Sequence, residues 1–414
     1  MDNRGTHCVL LHPQSLTGTN INTWQKGFGG QGLNNAIKRK DEIIHTIKNS
    51  GLRGYGGSGY PVYTKWELIA KQPEKQKYLI CNGNEDEPGT FKDKLLMEEA
   101  PFQLIEGATI TALACGIDTV IFYINGAYEK CIKNVTEALD SWKASDLFTG
   151  SPELNSINYK ITISPGDYVA GEETAAIEFI EGKFPYPRGK PPYPVEKGLY
   201  GLPTLVSNIE TISYVSHILR KGGDWFKALG RPGYTGMKLF CISGDVVSSG
   251  VYELPVGSKL SELIYEYGHG IIGNEKIKAV FAGGIGSKLL SSGECDIELD
   301  YETFSKRGNC LGTGTMIVVS DNTPLIDEVQ HYVKFLSDSS CGQCTGCRSG
   351  TVYISTLLSD IAQKKNPDIA LEKVNDLCGL LAGTGRCQLI NSVVTVTSSA
   401  LNIYECLNNQ EHLS

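Results

Sequence analysis

Short runs of β-branched and aromatic residues alternate with helical periods through the first half of the chain. Residues 78–81, 119–124 and 159–164 are predicted strands, and a long helical period, residues 91–114, lies between the first two. A shorter helical period at residues 33–48 comes earlier. Because strands alternate with helices, the pattern predicts an α/β fold built on a mostly parallel sheet.

The second half of the chain has two other patterns. From about Gly236 the expected elements are strands at 237–243, 251–255, 277–282 and 316–320 with a helix at 259–267, which together predict a small α+β module. Beyond Pro324 the period is helical almost to the end and predicts a helical bundle. We therefore expect a lead-in over residues 1–50, an α/β domain over 51–235, the module over 236–323 and the bundle over 324–414.

Composition narrows the possible partners and surroundings. The net charge of −8 over 414 residues, without a basic stripe, disfavours nucleic acid as a partner. The most apolar long stretch, residues 104–124, contains Glu106 and Asp118, so we expect no membrane insertion. Thirteen cysteines and an N-terminus without a hydrophobic leader indicate a reducing, cytoplasmic location.

Three of those cysteines, Cys341, Cys344 and Cys347, are spaced by two residues each. A tight loop at this spacing brings its sulfurs onto one face, which favours an iron–sulfur cluster over zinc and over a buried thiol cluster without metal. A [4Fe–4S] cluster needs a fourth ligand, and Cys378, Cys387 and Cys406 follow the loop. Cys378 has the spacing of a buried helical position, whereas Cys387 follows a glycine-broken stretch, so we favour Cys387.

Unusual loops follow the predicted strands. Residues 51–60 contain five glycines and allow a phosphate or ring to approach the backbone. Acidic and amide residues at 82–87 and 165–174 follow two strands at what should be one edge of the sheet, where ligands of such sheets bind. Lys65 and Lys190 are candidates to balance phosphate charge. The proline-rich residues 186–194 are either an ordered crossing loop or a linker.

These motifs together resemble the NADH-binding flavin subunit of respiratory complex I and the diaphorase subunits of NAD-linked hydrogenases and formate dehydrogenases. The matching motifs are the glycine loop at 54–60, NGNEDEPGTF at 82–91, GEET at 171–174, KPPYP at 190–194 and SCGQCTGCRSG at 340–350. The resemblance implies a Rossmann-like domain that binds FMN and NADH, a ubiquitin-like β-grasp module of the soluble-ligand-binding type, and a bundle with a [4Fe–4S] cluster.

Carried over motif by motif, the resemblance also implies which residues bind each cofactor. The implied FMN contacts are Gly54, Gly56, Lys65, Asn82, Asn84, Glu85, Gly171, Glu172 and Asn208. The implied NADH contacts are Gly57, Tyr60, Glu87, Tyr168, Glu173, Lys190 and Tyr193. The implied cluster ligands are Cys341, Cys344, Cys347 and Cys387. Tyr60 and Tyr193 stand where the family has aromatic residues that enclose the adenine.

Several positions depart from the family's pattern. Tyr55 replaces the usual arginine between two glycines, Asn84 stands for aspartate, Ser207 for the first asparagine of an NN pair, and Ala170 for cysteine. The segment around the fourth cysteine has Arg386 before it and Gln388 after it. These departures leave open a second class of protein, a flavin-free scaffold that retains only the cluster.

The resemblance implies an enzyme without a catalytic side chain of its own. Hydride would pass from NADH to FMN, and single electrons would leave through the cluster, with Arg348 raising the cluster's potential. The implied partners are a thioredoxin-like [2Fe–2S] subunit and further electron-transfer subunits, which would make the chain peripheral to a membrane complex. A subunit of a hydrogenase, formate dehydrogenase or electron-bifurcating enzyme is the alternative.

Overall fold

The computed structural model describes residues 8–411, without the side chains of residues 408–411. The expectation that the chain has no hydrophobic leader concerns its first residues, which lie outside the described residues.

The first sheet has four parallel strands in the order β3-β2-β1-β4. They are β1 (Tyr78–Gly83), β2 (Thr119–Asn125), β3 (Asn158–Ser164) and β4 (Thr204–Asn208). Since all four run in one direction, their carboxyl ends share one edge.

Helices cover this sheet, and two of them meet at very short range. They are α1 (Ile21–Lys26), α2 (Gln31–Lys38), α3 (Ile43–Ser50), α4 (Val62–Ala70), α5 (Lys92–Glu99), α6 (Pro101–Cys115), α7 (Glu129–Lys143), α8 (Asp146–Thr149), α9 (Glu173–Ile180), α10 (Pro194–Lys197), α11 (Ile209–Lys221) and α12 (Gly223–Lys227). A Cβ on Gly107 of α6 would lie 2.0 Å from the carbonyl oxygen of Ile212 in α11. Glycine therefore permits the α6–α11 contact on which the core is built.

Two long helical periods are interrupted in the structure. The period at 91–114 is divided between α5 and α6, because Ala100 precedes Pro101 and takes a non-helical backbone conformation. The period at 33–48 is divided between α2 and α3 at Arg39, whose φ is −131°. Both helical predictions are therefore correct in type but wrong in continuity. Strand β4 was not predicted at all.

The segment expected as a lead-in packs into the core of this half. Leu33, Ile43 and Ile47 are fully buried in the same hydrophobic cluster as Leu79 of β1. The backbone amides of Val9, Leu10 and Leu11 donate to the buried carboxylate of Glu253 at 2.9, 3.0 and 2.9 Å, and Tyr214 OH donates to it at 2.9 Å. The division into four segments, with its three boundaries, stays a prediction.

The second sheet has five strands in the order β6-β5-β9-β7-β8. Its strands are β5 (Met237–Gly244), β6 (Gly250–Pro255), β7 (Ile277–Ala282), β8 (Leu289–Ser291) and β9 (Thr315–Ser320), with helices α13 (Leu260–Glu262) and α14 (Tyr301–Lys306). The first and last strands, β5 and β9, are central and parallel, and the outer pairs are antiparallel. This is the β-grasp arrangement that the resemblance implied. The predicted helix at 259–267 becomes a π-helical turn after α13.

Four helices form the bundle that the periodicity predicted. They are α15 (Leu325–Asp338), α16 (Thr345–Ala362), α17 (Pro367–Leu381) and α18 (Leu389–Glu411). The cysteine triplet lies between α15 and the first turn of α16, and Cys387 lies between α17 and α18. In residues 8–411, no helix is both long and apolar enough to cross a membrane.

Candidate functional site

The loops after β1 and β3 are bonded to each other at the carboxyl edge of the first sheet. Asn82 Nδ2 donates to the carbonyl of Gly171 at 2.8 Å, and Asn84 Nδ2 donates to the carbonyl of Asp167 at 3.0 Å. Ser164 Oγ donates to Asn84 Oδ1. A Cβ at position 171 would lie 3.1 Å from Asn84, so glycine is needed for this close approach. The structure thus brings two of the predicted loops together.

The glycine loop lies beside the end of β4. Gly54 N donates to the carbonyl of Tyr60 at 2.8 Å and closes the loop. A Cβ on Gly56 would lie 3.1 Å from Asn208, whereas a Cβ on Gly57, whose φ is +130°, would meet no atom within 4 Å. Open space thus stands over the backbone at Gly57, and a planar ring or phosphate can approach it there. This cradle fits FMN.

Tyr55, the departure from arginine, points away from that cradle. Its ring is buried, its hydroxyl donates to the carbonyl of Met237 at 2.9 Å, and Lys238 Nζ lies 4.6 Å from the ring centroid. On the other side of the loop, Tyr301 of α14 donates to the carbonyl of Gly312 at 3.1 Å and packs against Gly59. The module of residues 236–323 therefore packs against the glycine loop and supports it.

A group of buried charges holds Asn208 in place. Lys92 Nζ lies 3.0 Å from Asp93 Oδ1 and 2.9 Å from Glu210 Oε2, and none of these side chains is more than 5% exposed. Asn208 Nδ2 donates to Asp93 Oδ2 at 2.6 Å, and Asn208 Oδ1 accepts from Lys92 Nζ at 3.3 Å. Burial works to lower the pKa of Lys92, but the carboxylates of Asp93, Glu210 and Glu85 outweigh it and raise that pKa.

Two predicted acidic contacts already have protein partners. The carboxylate of Glu85 is buried and accepts from the amides of Asp93 and Lys94, both at 2.9 Å, at the start of α5. Burial raises the pKa of Glu85. The carboxylate of Glu87 accepts from the hydroxyls of Thr90 and Thr313, both at 3.0 Å, and burial raises its pKa as well. The backbone carbonyl of Glu85 also accepts from Asn125 Nδ2 at 3.1 Å and from Tyr128 OH at 2.7 Å, so both its carboxylate and its carbonyl have protein partners.

Four charged residues form one network beside these loops. Glu173 lies 2.9 Å from Lys65 and 2.6 Å from Lys190, and Lys190 also lies 2.9 Å from Glu172. Burial works to raise the pKa of Glu173, but the two ammonium groups outweigh it and lower that pKa. Glu172 also caps α9 by accepting from the amides of Thr174 and Ala175. The two lysines expected to balance phosphate are therefore paired with carboxylates here.

The proline-rich segment is an ordered crossing loop rather than a linker. Arg188 N donates to Thr174 Oγ1 at 2.8 Å, and Lys190 reaches back to α9 through its ion pair with Glu173. The segment ends at Tyr193, which is 52% exposed, and Tyr60 in the glycine loop is 46% exposed. Two large aromatic side chains that stay this exposed are available to stack on a ring. Tyr168, the third predicted aromatic contact, instead packs edge-on against Phe335.

The cysteine pocket is the cavity into which the loops at one end of the bundle converge. Its lining residues include all four predicted ligands, and they are Val169, Pro187, Ser340, Cys341, Gln343, Cys344, Cys347, Gly385, Arg386, Cys387, Leu389 and Ile390. Arg386 N donates to Cys344 Sγ at 3.4 Å, and Ser340 Oγ lies 3.2 Å from Cys347 Sγ. Burial raises the pKa of the Cys347 and Cys387 thiols. A bound metal offsets that shift by favouring the thiolate.

The donor set of the cysteine pocket is four thiols, those of Cys341, Cys344, Cys347 and Cys387. The ligands of a [4Fe–4S] cluster are cysteine thiolates, each of which binds a different iron atom. By the chemistry of this donor set, the pocket fits a [4Fe–4S] cluster.

The competing cysteines lie elsewhere. Cys378 is buried on α17 within the second hydrophobic cluster, as its helical spacing predicted. Cys406 is exposed on α18. Neither lines the cysteine pocket, so the structure brings only Cys387 to the triplet.

Several supporting residues were missed by the sequence reasoning. Lys92, Asp93 and Glu210 carry the buried charges, and Tyr301 supports the glycine loop. Lys92 and Asp93 directly follow the acidic loop, so their position offered a signal. Glu210 and Tyr301 offered none, because both are isolated in polar or helical surroundings and gain their roles only through tertiary contacts.

Known protein families match both the region that holds the loops at the sheet edge and the region that holds the cysteine pocket. Residues 47–217 match the family model for the Nuo51 FMN-binding domain, and residues 327–407 match that for the NADH-ubiquinone oxidoreductase-F iron-sulfur binding region. The second F subunit of NADH-quinone oxidoreductase from Rhizobium meliloti (strain 1021) is 37% identical over 374 residues, 89% of each chain. The F subunit of the same enzyme from Aquifex aeolicus (strain VF5) is 38% identical over 379 residues, which cover 88% of this chain and 87% of that protein.

A solved structure is similar across the same region. The crystal structure of NAD+-reducing [NiFe]-hydrogenase in the H2-reduced state gives a TM-score of 0.82 at 32% identity. The match covers 88% of this chain and 61% of that hydrogenase chain. These matches confirm FMN and a [4Fe–4S] cluster as cofactors and NAD(H) as substrate. The chain therefore belongs to the family of NADH-quinone oxidoreductase F subunits, whose members are NADH-oxidising flavin and iron–sulfur components of larger enzymes.

Proposed function

We propose that the carboxyl edge of the first sheet binds FMN and NADH, and that the cysteine pocket receives electrons from it. The proposed FMN contacts are Gly54, Gly56, Lys65, Asn82, Asn84, Glu85, Gly171, Glu172 and Asn208. The proposed NADH contacts are Gly57, Tyr60, Glu87, Tyr168, Glu173, Lys190 and Tyr193. The proposed cluster ligands are Cys341, Cys344, Cys347 and Cys387.

The observation that supports the proposal most directly is one turn of chain that contacts both the proposed nucleotide site and the cysteine pocket. It is the short 3₁₀ segment Tyr168–Gly171. At its end the carbonyl of Gly171 accepts from Asn82, and within it Val169 lines the cysteine pocket. The nucleotide site and the cysteine pocket thus share this helical turn, which is the path we propose for the electron.

The work of the chain in this reaction is binding and orientation. FMN supplies the conversion between a two-electron hydride and single electrons. Asn208 is held by Asp93 and Lys92, and Asn82 is held by Gly171, so the polar groups that meet the flavin are fixed before it binds. Hydride transfer needs no general base, and we assign none.

A visible spectrum of the purified chain under nitrogen tests the proposal. Flavin bands over a broad cluster absorbance are expected, and NADH should bleach both. Because nothing in the site calls for a covalent bond, acid precipitation should release the flavin into the supernatant. Flavin that remains in the pellet contradicts non-covalent binding, and cluster absorbance without flavin favours the scaffold instead.

A variant separates the two sites. In Cys387→Ala, NADH should still bleach the flavin while the cluster absorbance is missing or reduced. A wild-type cluster that keeps its absorbance after the flavin is bleached contradicts the path through Tyr168–Gly171.

The hydrogenase match supports a second version of the same function. A diaphorase subunit of a hydrogenase or related enzyme would use the same two sites with another partner. Subunits that co-purify with the natural chain distinguish the versions, because a hydrogenase contributes nickel and a quinone reductase does not.

We further propose a thioredoxin-like [2Fe–2S] subunit as one partner and a cytoplasmic location, peripheral to a membrane complex. The subunit names of the relatives support the existence of partners. The cysteines from Cys81 to Cys406 form no disulfide bonds, which supports a reducing compartment. Iron and flavin analysis of the natural complex tests the partner, since a second cluster type requires more than four irons per flavin.

A further inference from the structure

Arg386 lies across the open side of the cysteine pocket. Its backbone N–H donates to Cys344 Sγ at 3.4 Å, and its Nη1 donates to Gln343 Oε1 at 3.3 Å. Both Arg386 and Gln343 line the pocket, and both are solvent-exposed. Gln343 stands between Cys341 and Cys344 in the triplet loop, so its amide holds the guanidinium beside that loop.

The positive charge of Arg386 has no counter-charge in the described part of the chain. No carboxylate of residues 8–407, the part of the chain whose side chains are described, forms an ion pair with it, and within that part its one side-chain partner is the neutral amide of Gln343. A guanidinium keeps its proton at every physiological pH, so this charge is constant. The pocket therefore faces a fixed cation and one backbone N–H dipole from the same residue.

We propose that Arg386 sets the reduction potential of the cluster held by Cys341, Cys344, Cys347 and Cys387. Reduction adds one electron, which the oxidation of NADH supplies, and makes the cluster and its four thiolates more negative by one charge. A nearby cation and an N–H···S bond stabilise that added charge, so both raise the potential. No proton moves to or from Arg386. The inference rests on the proposed function, because it takes these four cysteines as ligands.

The sequence offers a different arginine for this role. Arg348 follows Cys347 directly and was expected to raise the potential. In the structure its side chain does not line the pocket, although its Cδ lies 3.9 Å from the position of a Cβ on Gly342 and therefore beside the triplet loop. Arg348 is exposed and carries the same charge on the same end of the bundle, so it is a matched control.

The experiment measures the midpoint potential of the cluster in the full chain with its cofactors, by following the reduced-state paramagnetic resonance signal during a redox titration. Arg386→Gln removes the charge but keeps the backbone N–H. We expect the one-electron equilibrium constant to fall by up to tenfold, which is ~59 mV. Arg348→Gln should shift it by less than half as much. Arg386→Lys should restore most of the wild-type value, because it restores the charge.

A second variant keeps the test possible if Arg386→Gln loses its cluster. Gln343→Leu removes the amide that holds the guanidinium but removes no charge, and we expect a smaller fall in the same direction. If Arg386→Gln fails to hold iron, Gln343→Leu and Arg386→Lys carry the test. Equal shifts in the Arg348 and Arg386 variants, or no shift in the Arg386 variant, overturn the proposal.

Failure of this inference differs from failure of the proposed function. If the wild-type chain binds no cluster at these cysteines, the proposed function fails. If it binds one whose potential ignores Arg386, only the assignment of Arg386 fails.

Discussion

At the edge of the parallel sheet, the side chains that we propose as cofactor contacts are bonded to other groups of the protein. Asn82 is tied to Gly171, Asn208 to Asp93, and Glu173 to two lysines. In the cysteine pocket the four sulfurs lie on loops or in a first helical turn at helix ends, and no disulfide joins them. The first region is ordered by its own contacts, whereas the second is lined by thiols that we propose as the ligands of one cluster. We infer that the nucleotide site exists before its ligands bind and that the cysteine pocket depends on its cluster.

The largest expected effect is on the cysteine pocket. Cys387→Ala removes the single ligand supplied from outside the triplet, so it should abolish the cluster or convert it to a three-iron form. The flavin should stay bound, because the proposed FMN contacts lie between Gly54 and Asn208 and none of them is a ligand of the cluster. Iron content, flavin content and the reduced-state resonance spectrum measure the three outcomes.

Cys378→Ala is the control for that variant. Its thiol is buried among apolar side chains of α17, so the change should cost about 1 kcal/mol of packing and keep four irons. If Cys378→Ala loses the cluster and Cys387→Ala keeps it, the ligand assignment is reversed.

The next effect tests how far the nucleotide site depends on its buried charges. Lys92→Met removes the cation shared by Asp93 and Glu210 and leaves their carboxylates buried without it. Breaking a buried ion pair in this way costs about 3–5 kcal/mol. The free energy of unfolding should fall by that amount, and flavin affinity should fall with it, since Asn208 loses its support.

Lys130→Met is matched to it. Lys130 pairs with Glu98 at 2.8 Å, but its side chain is 63% exposed, and exposed pairs contribute about 0–1 kcal/mol. Chemical denaturation of both variants gives the difference. Equal losses in the two would mean that the buried charges do not hold the site together.

The two regions also differ in how far the sequence predicts them. Cys341, Cys344 and Cys347 lie within seven residues, so a local motif identifies most of the pocket, and spacing selects Cys387. The glycine and acidic loops are equally local. Periodicity and the resemblance predict both sheets and the helical bundle, but they do not predict strands β4 and β8 or the breaks at Arg39 and Ala100.

What the sequence could not supply is the partner of each side chain. Glu85 and Glu173 both belong to acidic motifs, yet one is committed to the start of α5 and the other to two lysines. Glu210 is an ordinary residue of a helical period, and only the packing of α11 against α5 makes it the partner of Lys92. Two of these partners, Lys65 for Glu173 and Lys92 for Glu210, lie more than a hundred positions away along the chain, and no local pattern encodes such a contact.

A smaller effect concerns a buried acid and base in the α/β half. Burial lowers the pKa of His217 to about 3 and raises the pKa of Glu106 to about 7. Between pH 6.5 and 4.5 the unfolded chain binds the histidine proton and the folded chain binds the glutamate proton. Their contributions to the pH dependence of stability therefore have opposite signs and cancel in the wild type.

If either group is replaced, the contribution of the other to the pH dependence of stability should become measurable. In Glu106→Gln, stability should fall as the pH falls from 6.5 to 4.5, because only the unfolded chain then gains the histidine proton. In His217→Gln it should rise over the same range relative to wild type. Each slope is at most about 1.4 kcal/mol per pH unit. Urea midpoints at several pH values give both slopes, and parallel curves for the three proteins would refute the cancellation.

The smallest effect tests whether the ordered network at the nucleotide site also selects the nucleotide. A carboxylate near the adenine ribose accepts a bond from a 2′-hydroxyl and repels a 2′-phosphate. Glu173→Gln removes that repulsion and releases Lys65 and Lys190 from their ion pairs, so both can meet a phosphate. The ratio of kcat/KM for NADPH to that for NADH should rise by about tenfold, equivalent to ~1.4 kcal/mol. The estimate is modest because the lysines are about one-third exposed and screened by solvent.

Glu178→Gln provides the comparison for this variant, because Glu178 lies on the same helix and pairs with Arg188, and neither residue is a proposed nucleotide contact. It should leave the ratio unchanged. Stopped-flow bleaching of the flavin by each nucleotide measures selectivity without a partner subunit. If Glu173→Gln keeps its flavin and its wild-type preference for NADH, the carboxylate serves only to hold the two lysines. Selectivity must then come from the shape of the glycine loop that ends at Tyr60 or from the proline-rich crossing loop that ends at Tyr193.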